Sequence, residues 1–191
     1  MSFMKKNDEK LLIISGPSGV GKGTVIKELL SKLPDLKLAV SATTRSKREH
    51  EKEGLDYYFL SMKDFSRNEE NEKFIESCIV HGNKYGTLLS ELRRINNNNQ
   101  ICLLEIDTQG AKKIKQKLQH AKMIFLKPPS IKELKMRLEK RGTETDEIIK
   151  KRICNAENEI LETSYYDFVL VNDIIRDTVK KIEEFIAIEF F

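Results

Sequence analysis

Lys10-Leu11-Leu12-Ile13-Ile14-Ser15-Gly16-Pro17-Ser18-Gly19-Val20-Gly21-Lys22-Gly23-Thr24 joins a short apolar run to a glycine-rich turn. The run Lys10–Ser15 has two isoleucines and no polar alternation, which predicts a strand buried on both faces, as in a parallel sheet. Beyond the turn, Val25, Ile26, Leu29, Leu30 and Leu33 recur at helical spacing. Strand, glycine turn and helix together open an α/β unit. The turn itself suits phosphate. Successive backbone N–H groups in such a turn converge on one concavity, and the following helix adds the positive end of its dipole. Lys22 would place a point charge between the β- and γ-phosphates of a nucleotide. Gly23 stands where the common motif carries Ser or Thr, and the hydroxyl comes one residue later, at Thr24. That offset weakens Thr24 as a direct magnesium ligand.

Working outward, four more apolar runs repeat the strand signal: Leu36–Val40, Ile101–Ile106, Lys122–Leu126 and Phe168–Val171. Helical spacing fills Gln109–Leu118, Ile131–Lys140, Asp146–Leu161 and Asp173–Ile188. The alternation predicts an α/β fold with a parallel sheet flanked by helices, of the phosphate-loop nucleotide-binding type. From about residue 45 to 87 the rhythm breaks into shorter runs with Gly54, Gly82 and Gly86 nearby, which reads as an inserted, mostly β lobe. Core segments then fall at about 10–44, 88–127 and 164–191. The stretch 136–158, two helices meeting around Gly142, reads as a hinge or lid. Asn96–Asn99 reads as a polar loop, and the apolar end Ile188–Phe191 either packs on the domain or marks an oligomer contact. Asp107 closes its strand, where an acid can hold a metal's water shell.

Composition narrows the class. At 39% apolar and 34% charged residues, 191 residues suffice for one soluble domain with a real core. A net charge of +4 offers too small an excess for a nucleic-acid partner to be expected. Cys78, Cys102 and Cys154 are an odd, scattered set, with neither a zinc spacing nor a disulfide framework. No basic segment leads into a long apolar run, so neither a leader nor a membrane span is expected, and the cytoplasm is the expected compartment.

Two segments bear on the acceptor. Ser41-Ala42-Thr43-Thr44-Arg45-Ser46-Lys47-Arg48 follows the second strand, and Phe74-Ile75-Glu76 leads to Gly82-Asn83-Lys84-Tyr85-Gly86-Thr87. With these, with Asp56–Phe59, with Ile106-Asp107-Thr108-Gln109-Gly110, with the turn Pro128-Pro129-Ser130, with Arg141–Thr145 and with Val171-Asn172-Asp173, the chain resembles the guanylate kinase family. The resemblance runs in order from about Lys10 to about Lys180. It implies a single domain over 1–191 that transfers the γ-phosphoryl group of ATP to GMP or dGMP with Mg2+, in purine nucleotide metabolism. Small-molecule nucleotides are then its partners. The Gly-Lys-Gly-Thr ending also resembles adenylate kinases and some guanylate kinases, in which magnesium meets protein largely through waters.

Roles follow from matching positions. Gly16, Pro17, Ser18, Gly19, Val20, Gly21, Lys22, Gly23 and Thr24 would hold ATP, helped by Arg137 and Arg141, with Asn172 either near adenine or capping the strand end. Arg45 and Arg48 would grip the GMP phosphate with two guanidinium forks, as their charge and spacing permit, and Tyr57 and Tyr85 would add phenolic hydrogen bonds. Glu76 would accept guanine's N1–H and N2–H2 donors, Ser41 and Thr87 would address O6, and Asp107 would sit beside the acceptor. Glu105 stands where many relatives carry aspartate. Thr24, Glu105 and Asp107 are the implied magnesium set, mostly through water. Lys22, Arg45, Arg141, Arg152 and Asp107 are the implied catalytic set, the arginines neutralising charge as the lid closes. No general base is expected, because a phosphate monoester's second pKa is about 6 and the acceptor oxygen is already mostly ionised. His50, His81 and His120 show no partner pattern. Two other readings share the loop: a phosphoprotein-binding module of the same lineage, which would not need Lys22 or the lid arginines, and a kinase of another phosphorylated acceptor, which would not need Glu76.

Overall fold

The first strand, β1 (Leu11–Ser15), is buried along its whole length. Leu12 and Ile14 face one apolar cluster while Leu11 and Ile13 face another. A strand apolar on both sides needs helices above and below and partners on each edge, and β1 has both. This computed structural model describes residues 9–80, 82–140 and 145–191. After β1 come α1 (Lys22–Lys32), β2 (Leu36–Leu38) and β3 (Ser41–Thr43). Then follow β4 (Tyr58–Phe59), α2 (Met62–Glu70), β5 (Phe74–Val80), β6 (Asn83–Leu88) and α3 (Leu89–Asn96). The remainder is β7 (Ile101–Glu105), α4 (Thr108–Lys117), β8 (Lys122–Lys127), α5 (Ile131–Lys140), α6 (Asp146–Leu161), β9 (Phe168–Val171) and α7 (Ile175–Phe190).

The larger sheet runs in the order β2-β7-β1-β8-β9, every pair parallel. Val25, Ile26 and Leu29 of α1 and Val179, Ile182 and Ile186 of α7 cover one face. Leu92 and Ile95 of α3 and Ala111 and Ile114 of α4 cover the other. This is the expected α/β architecture with helices on both faces. The smaller sheet runs β4-β3-β6-β5, with β6 antiparallel to both neighbours, over a core of Ala42, Phe65 and Phe74. In the lid region, α5 and α6 share a third cluster built on Leu134, Leu138, Ile149 and Ala156.

Several boundaries differ from the sequence reading. The run Leu36–Val40 is not one strand: β2 stops at Leu38, Ala39 N–H still donates to Leu103 O at 2.9 Å, and the chain enters the smaller sheet at Ser41. The lobe's first strand therefore precedes residue 45. The lobe also holds a helix, α2, whose Ser61 cap accepts the Asp64 N–H and whose Phe65 stacks on Phe74 at 4.4 Å. Lys84 reaches from β6 to Glu69 and, at 3.3 Å, to Ser66 Oγ, fastening α2 to the sheet. Asn96 is not loop but the end of α3, 7% exposed, with Oδ1 accepting Lys10 N–H at 2.9 Å and Nδ2 donating to Lys10 O at 3.1 Å. At the C-terminus Phe190 packs on the core while Ile188 and Phe191 are exposed. Gly142, the expected hinge, lies outside the described residues. No helix among the described residues is long and apolar enough to cross a membrane.

Candidate active site

The turn between β1 and α1 starts at Gly16, whose φ of +146° suits glycine alone; a Cβ there would stand 2.4 Å from Leu126 O. Lys22 opens α1, and its Nζ donates back to Gly16 O at 2.6 Å and Pro17 O at 3.2 Å. The ammonium is thus held over the mouth of the turn. Val20 O is held by Asn172 Nδ2 at 2.8 Å and Arg137 Nη1 at 3.3 Å. Arg137 is itself held by Glu133 Oε1 at 3.0 Å. Asn172 is 2% exposed, and its Nδ2 is committed to the loop carbonyl of Val20. From the lid, Arg152 donates to Ser18 Oγ. Thr24 and Gly23 are exposed on the first turn of α1.

The opposite wall comes from the smaller sheet. Ser41 on β3 and Glu76 on β5 both pair with Thr87 on β6, so the three residues form one row across three strands. A register shift between Phe74 and Glu76 marks a bulge, a device that re-aims a side chain. Glu76 is 6% exposed and accepts the Thr87 hydroxyl at 3.1 Å. Burial pushes its carboxyl above the ordinary range, the Thr87 hydroxyl pulls the other way, and Asp107 adds to the rise. The Tyr57 and Tyr85 rings meet edge-on at 6.1 Å, and the Arg45 guanidinium lies 5.5 Å from the Tyr57 ring centre.

Glu51, which the sequence reading passed over, organises the arginine pair. It forks Arg45 through Oε1 to Nη2 at 2.6 Å and Oε2 to Nη1 at 3.0 Å, and accepts the Arg48 N–H at 2.8 Å. The Arg45 side chain, then the Arg48 N–H, draw its carboxyl down to about 2. An acid three residues after Arg48 was the available signal. The Arg48 side chain is exposed.

Between the walls lies a cleft of ≈ 520 Å³. Gly16, Ser18 and Lys22 line one side, Ser41, Tyr57, Glu76 and Tyr85 the other, with Glu105 and Asp107 at its floor. Asp107 caps α4, its Oδ1 accepting Gly110 N–H at 2.7 Å. Gly110 is a second position whose place the sequence reading did not use: a Cβ there would stand a tight 3.3 Å from Asp107 Oδ1 and in ordinary contact, 3.5 Å, with Glu76 Oε2. Glu159 on α6 also lines the cleft. It follows Arg152 by two helical turns, on the same helix face. Burial raises its carboxyl, against Lys22, which favours the charge.

The predicted residues therefore converge unequally. Gly16, Ser18, Lys22, Ser41, Tyr57, Glu76, Tyr85, Glu105 and Asp107 share the cleft. Arg45, Thr87 and Arg152 reach it through Tyr57, Glu76 and Ser18. Arg137 and Asn172 both hold the loop carbonyl of Val20 and do not line this cleft. Arg141 lies outside the described residues. For a metal, Glu105 and Asp107 offer hard carboxylate oxygens at the floor, yet no group of three or more metal-ligating side chains exists among the described residues. That donor set fits a magnesium ion carried mainly by phosphates and water.

Comparison with known proteins agrees with this geometry. The family profile described as guanylate kinase matches residues 8–189. A guanylate kinase of Prochlorococcus marinus subsp. pastoris is 47% identical over 177 residues, 93% of this chain and 96% of that protein. One from Mesomycoplasma hyopneumoniae is 46% identical, covering 97% of this chain and 98% of that protein. The crystal structure of guanylate kinase from Anaplasma phagocytophilum superposes with a TM-score of 0.73 at 35% identity, covering 95% of this chain and 86% of that one.

Proposed function

Because the chain belongs to the guanylate kinase family of nucleoside monophosphate kinases, we propose that it transfers the γ-phosphoryl group of ATP to GMP, and to dGMP, yielding ADP and the guanosine diphosphate. The observation that carries this reading is the facing of two chemistries across one cleft: a lysine-bearing phosphate turn, and a buried glutamate in a row with two hydroxyls. The substrate phosphates repel each other, so the protein's task is to gather cations and hold both groups in line. Lys22 meets the donor's β- and γ-oxygens. Arg152 and Arg141 of the lid spread charge over the group in flight. Arg45 and Arg48, set by Glu51, fix the acceptor phosphate with Tyr57 and Tyr85.

Glu76, as carboxylate, accepts guanine's N1–H and N2–H2, and Thr87 and Ser41 turn their hydroxyls to O6. Adenine would set a bare N1 lone pair against that carboxylate. Asp107 stands beside the acceptor. Glu105, Asp107 and Thr24 would reach a magnesium ion bound with ATP, largely through water, and the ion would supply further charge neutralisation across the phosphates. Lid closure excludes water and suppresses ATP hydrolysis. The activity belongs to purine nucleotide metabolism and GTP supply, and we place it in the cytoplasm. A coupled assay of ATP consumption across GMP, dGMP, AMP, CMP and UMP tests the proposal. Fast turnover confined to GMP and dGMP is expected; equal turnover of AMP and GMP defeats it.

A further inference from the structure

Glu91 is 2% exposed, in the first turn of α3. Glutamates are almost never that deep unless paired, and this one is paired on both oxygens. Oε1 accepts the Tyr58 hydroxyl at 2.9 Å and Arg94 Nε at 2.8 Å. Oε2 accepts the Val40 backbone N–H at 3.0 Å and Arg94 Nη2 at 3.0 Å. Burial opposes the charge, but Arg94, the Val40 N–H and the Tyr58 hydroxyl together outweigh it and hold the carboxyl below its ordinary range.

These bonds tie together three chain segments that no single element joins. Each segment carries a cleft or cleft-wall residue close by. Val40 precedes Ser41, Tyr58 follows Tyr57, and Glu91 itself lies four residues beyond Thr87, just across the junction from β6 to α3. Tyr58 packs against the rear core of Ala42, Phe65 and Phe74, while Tyr57 lines the cleft. Glu91 grips the wall from behind and does not line the cleft. We infer that Glu91 is a positioning residue for the acceptor nucleotide: it sets Ser41, Tyr57 and Thr87 in mutual register without touching substrate. The inference rests on reading the cleft as the GMP site. Its leverage is geometric, since misplacing a binding group by about 1 Å can cost on the order of 100-fold in rate.

A merely structural Glu91 would support the whole fold evenly. A positioning Glu91 acts on one substrate, because none of its partners belongs to the phosphate turn. Tyr58→Phe deletes one hydroxyl and leaves the ring in its core. It should raise KM for GMP roughly three- to tenfold, leave KM for ATP within about twofold, and melt close to wild type. Glu91→Gln should raise KM for GMP further. The pair combined should fall short of the product of the single effects, since both act through one bond. Unchanged KM for GMP in Tyr58→Phe overturns the inference, as does a parallel rise in both KM values with a lowered melting temperature. If Glu91→Gln does not fold, Tyr58→Phe decides alone. Wild-type protein that fails to phosphorylate GMP would defeat the substrate reading instead, so the two failures are separable.

Discussion

Glu76→Gln should make the protein sturdier and a far poorer enzyme. The wild-type carboxyl is buried and its pKa is raised, so the folded state holds its proton more tightly than the unfolded chain does. For such a group ∂ΔG/∂pH is negative: its folded-state cost is absent at low pH and fully present above the folded pKa. Glutamine removes that cost and keeps Oε1 as acceptor for the Thr87 hydroxyl, now 3.1 Å away. Stability at pH 8 should rise on the order of 1 kcal/mol. For a chain of this size that is about 2–4 °C in melting temperature. The gain should shrink toward pH 4.

Function moves the other way. One amide nitrogen would face a guanine donor where an oxygen had accepted. Losing a charge-assisted bond and setting donor against donor costs about 2–4 kcal/mol, roughly 30- to 1,000-fold in kcat/KM for GMP. The assays are thermal melts at pH 4 to 8 beside steady-state kinetics with GMP and AMP. A variant that melts lower than wild type at pH 8, or that keeps its preference for GMP, would refute the reasoning.

Lys22→Ala should cut transfer at least about 100-fold while calorimetry shows GMP still bound, since Lys22 stands on the donor wall. Glu51→Gln should flatten the acid limb of the stability curve. The wild-type carboxyl, drawn to about 2 by Arg45 and the Arg48 N–H, contributes stability above the ordinary carboxylate pKa that is lost as pH falls toward 2, and melts between pH 5 and 2 would show its absence in the variant. Gly23→Ala should stabilise α1 by up to about 1 kcal/mol in thermal melts, because a Cβ there meets nothing within 4 Å.

The larger sheet was legible because its strands are apolar on both faces, a pattern as clear at Leu11–Ile14 as at Met123–Leu126. The smaller sheet was not. A three-residue β3 and a two-residue β4 hold too few side chains for a period to show. Helix α2 buries only Phe65, so its apolar stripe is one residue wide, although Ser61 and Asp64 form a start signal that could have been read. In α3, Leu92 and Ile95 were overshadowed by the asparagines that follow. At the site, matched motifs located the residues that line the cleft. They did not show that Asn172 and Arg137 both bond the Val20 carbonyl of the loop, a contact set by residues far apart in sequence. Glu91 escaped because two of its partners, Val40 and Tyr58, are distant in sequence, whereas Glu51 pairs with the nearby Arg45 and Arg48 and could have been read from their spacing.

The central place of β1 also bears on how the chain is born. Leu11 pairs with Cys102 and Ile13 with Met123, so both flanking strands are translated about a hundred residues after the strand they enclose. At ~5–20 residues per second the interval is ~5–20 s. During it the most apolar stretch of the protein emerges with neither edge satisfied. The segment that organises the finished sheet is therefore the one the nascent chain must shelter longest, and it is where a holding chaperone would find its grip.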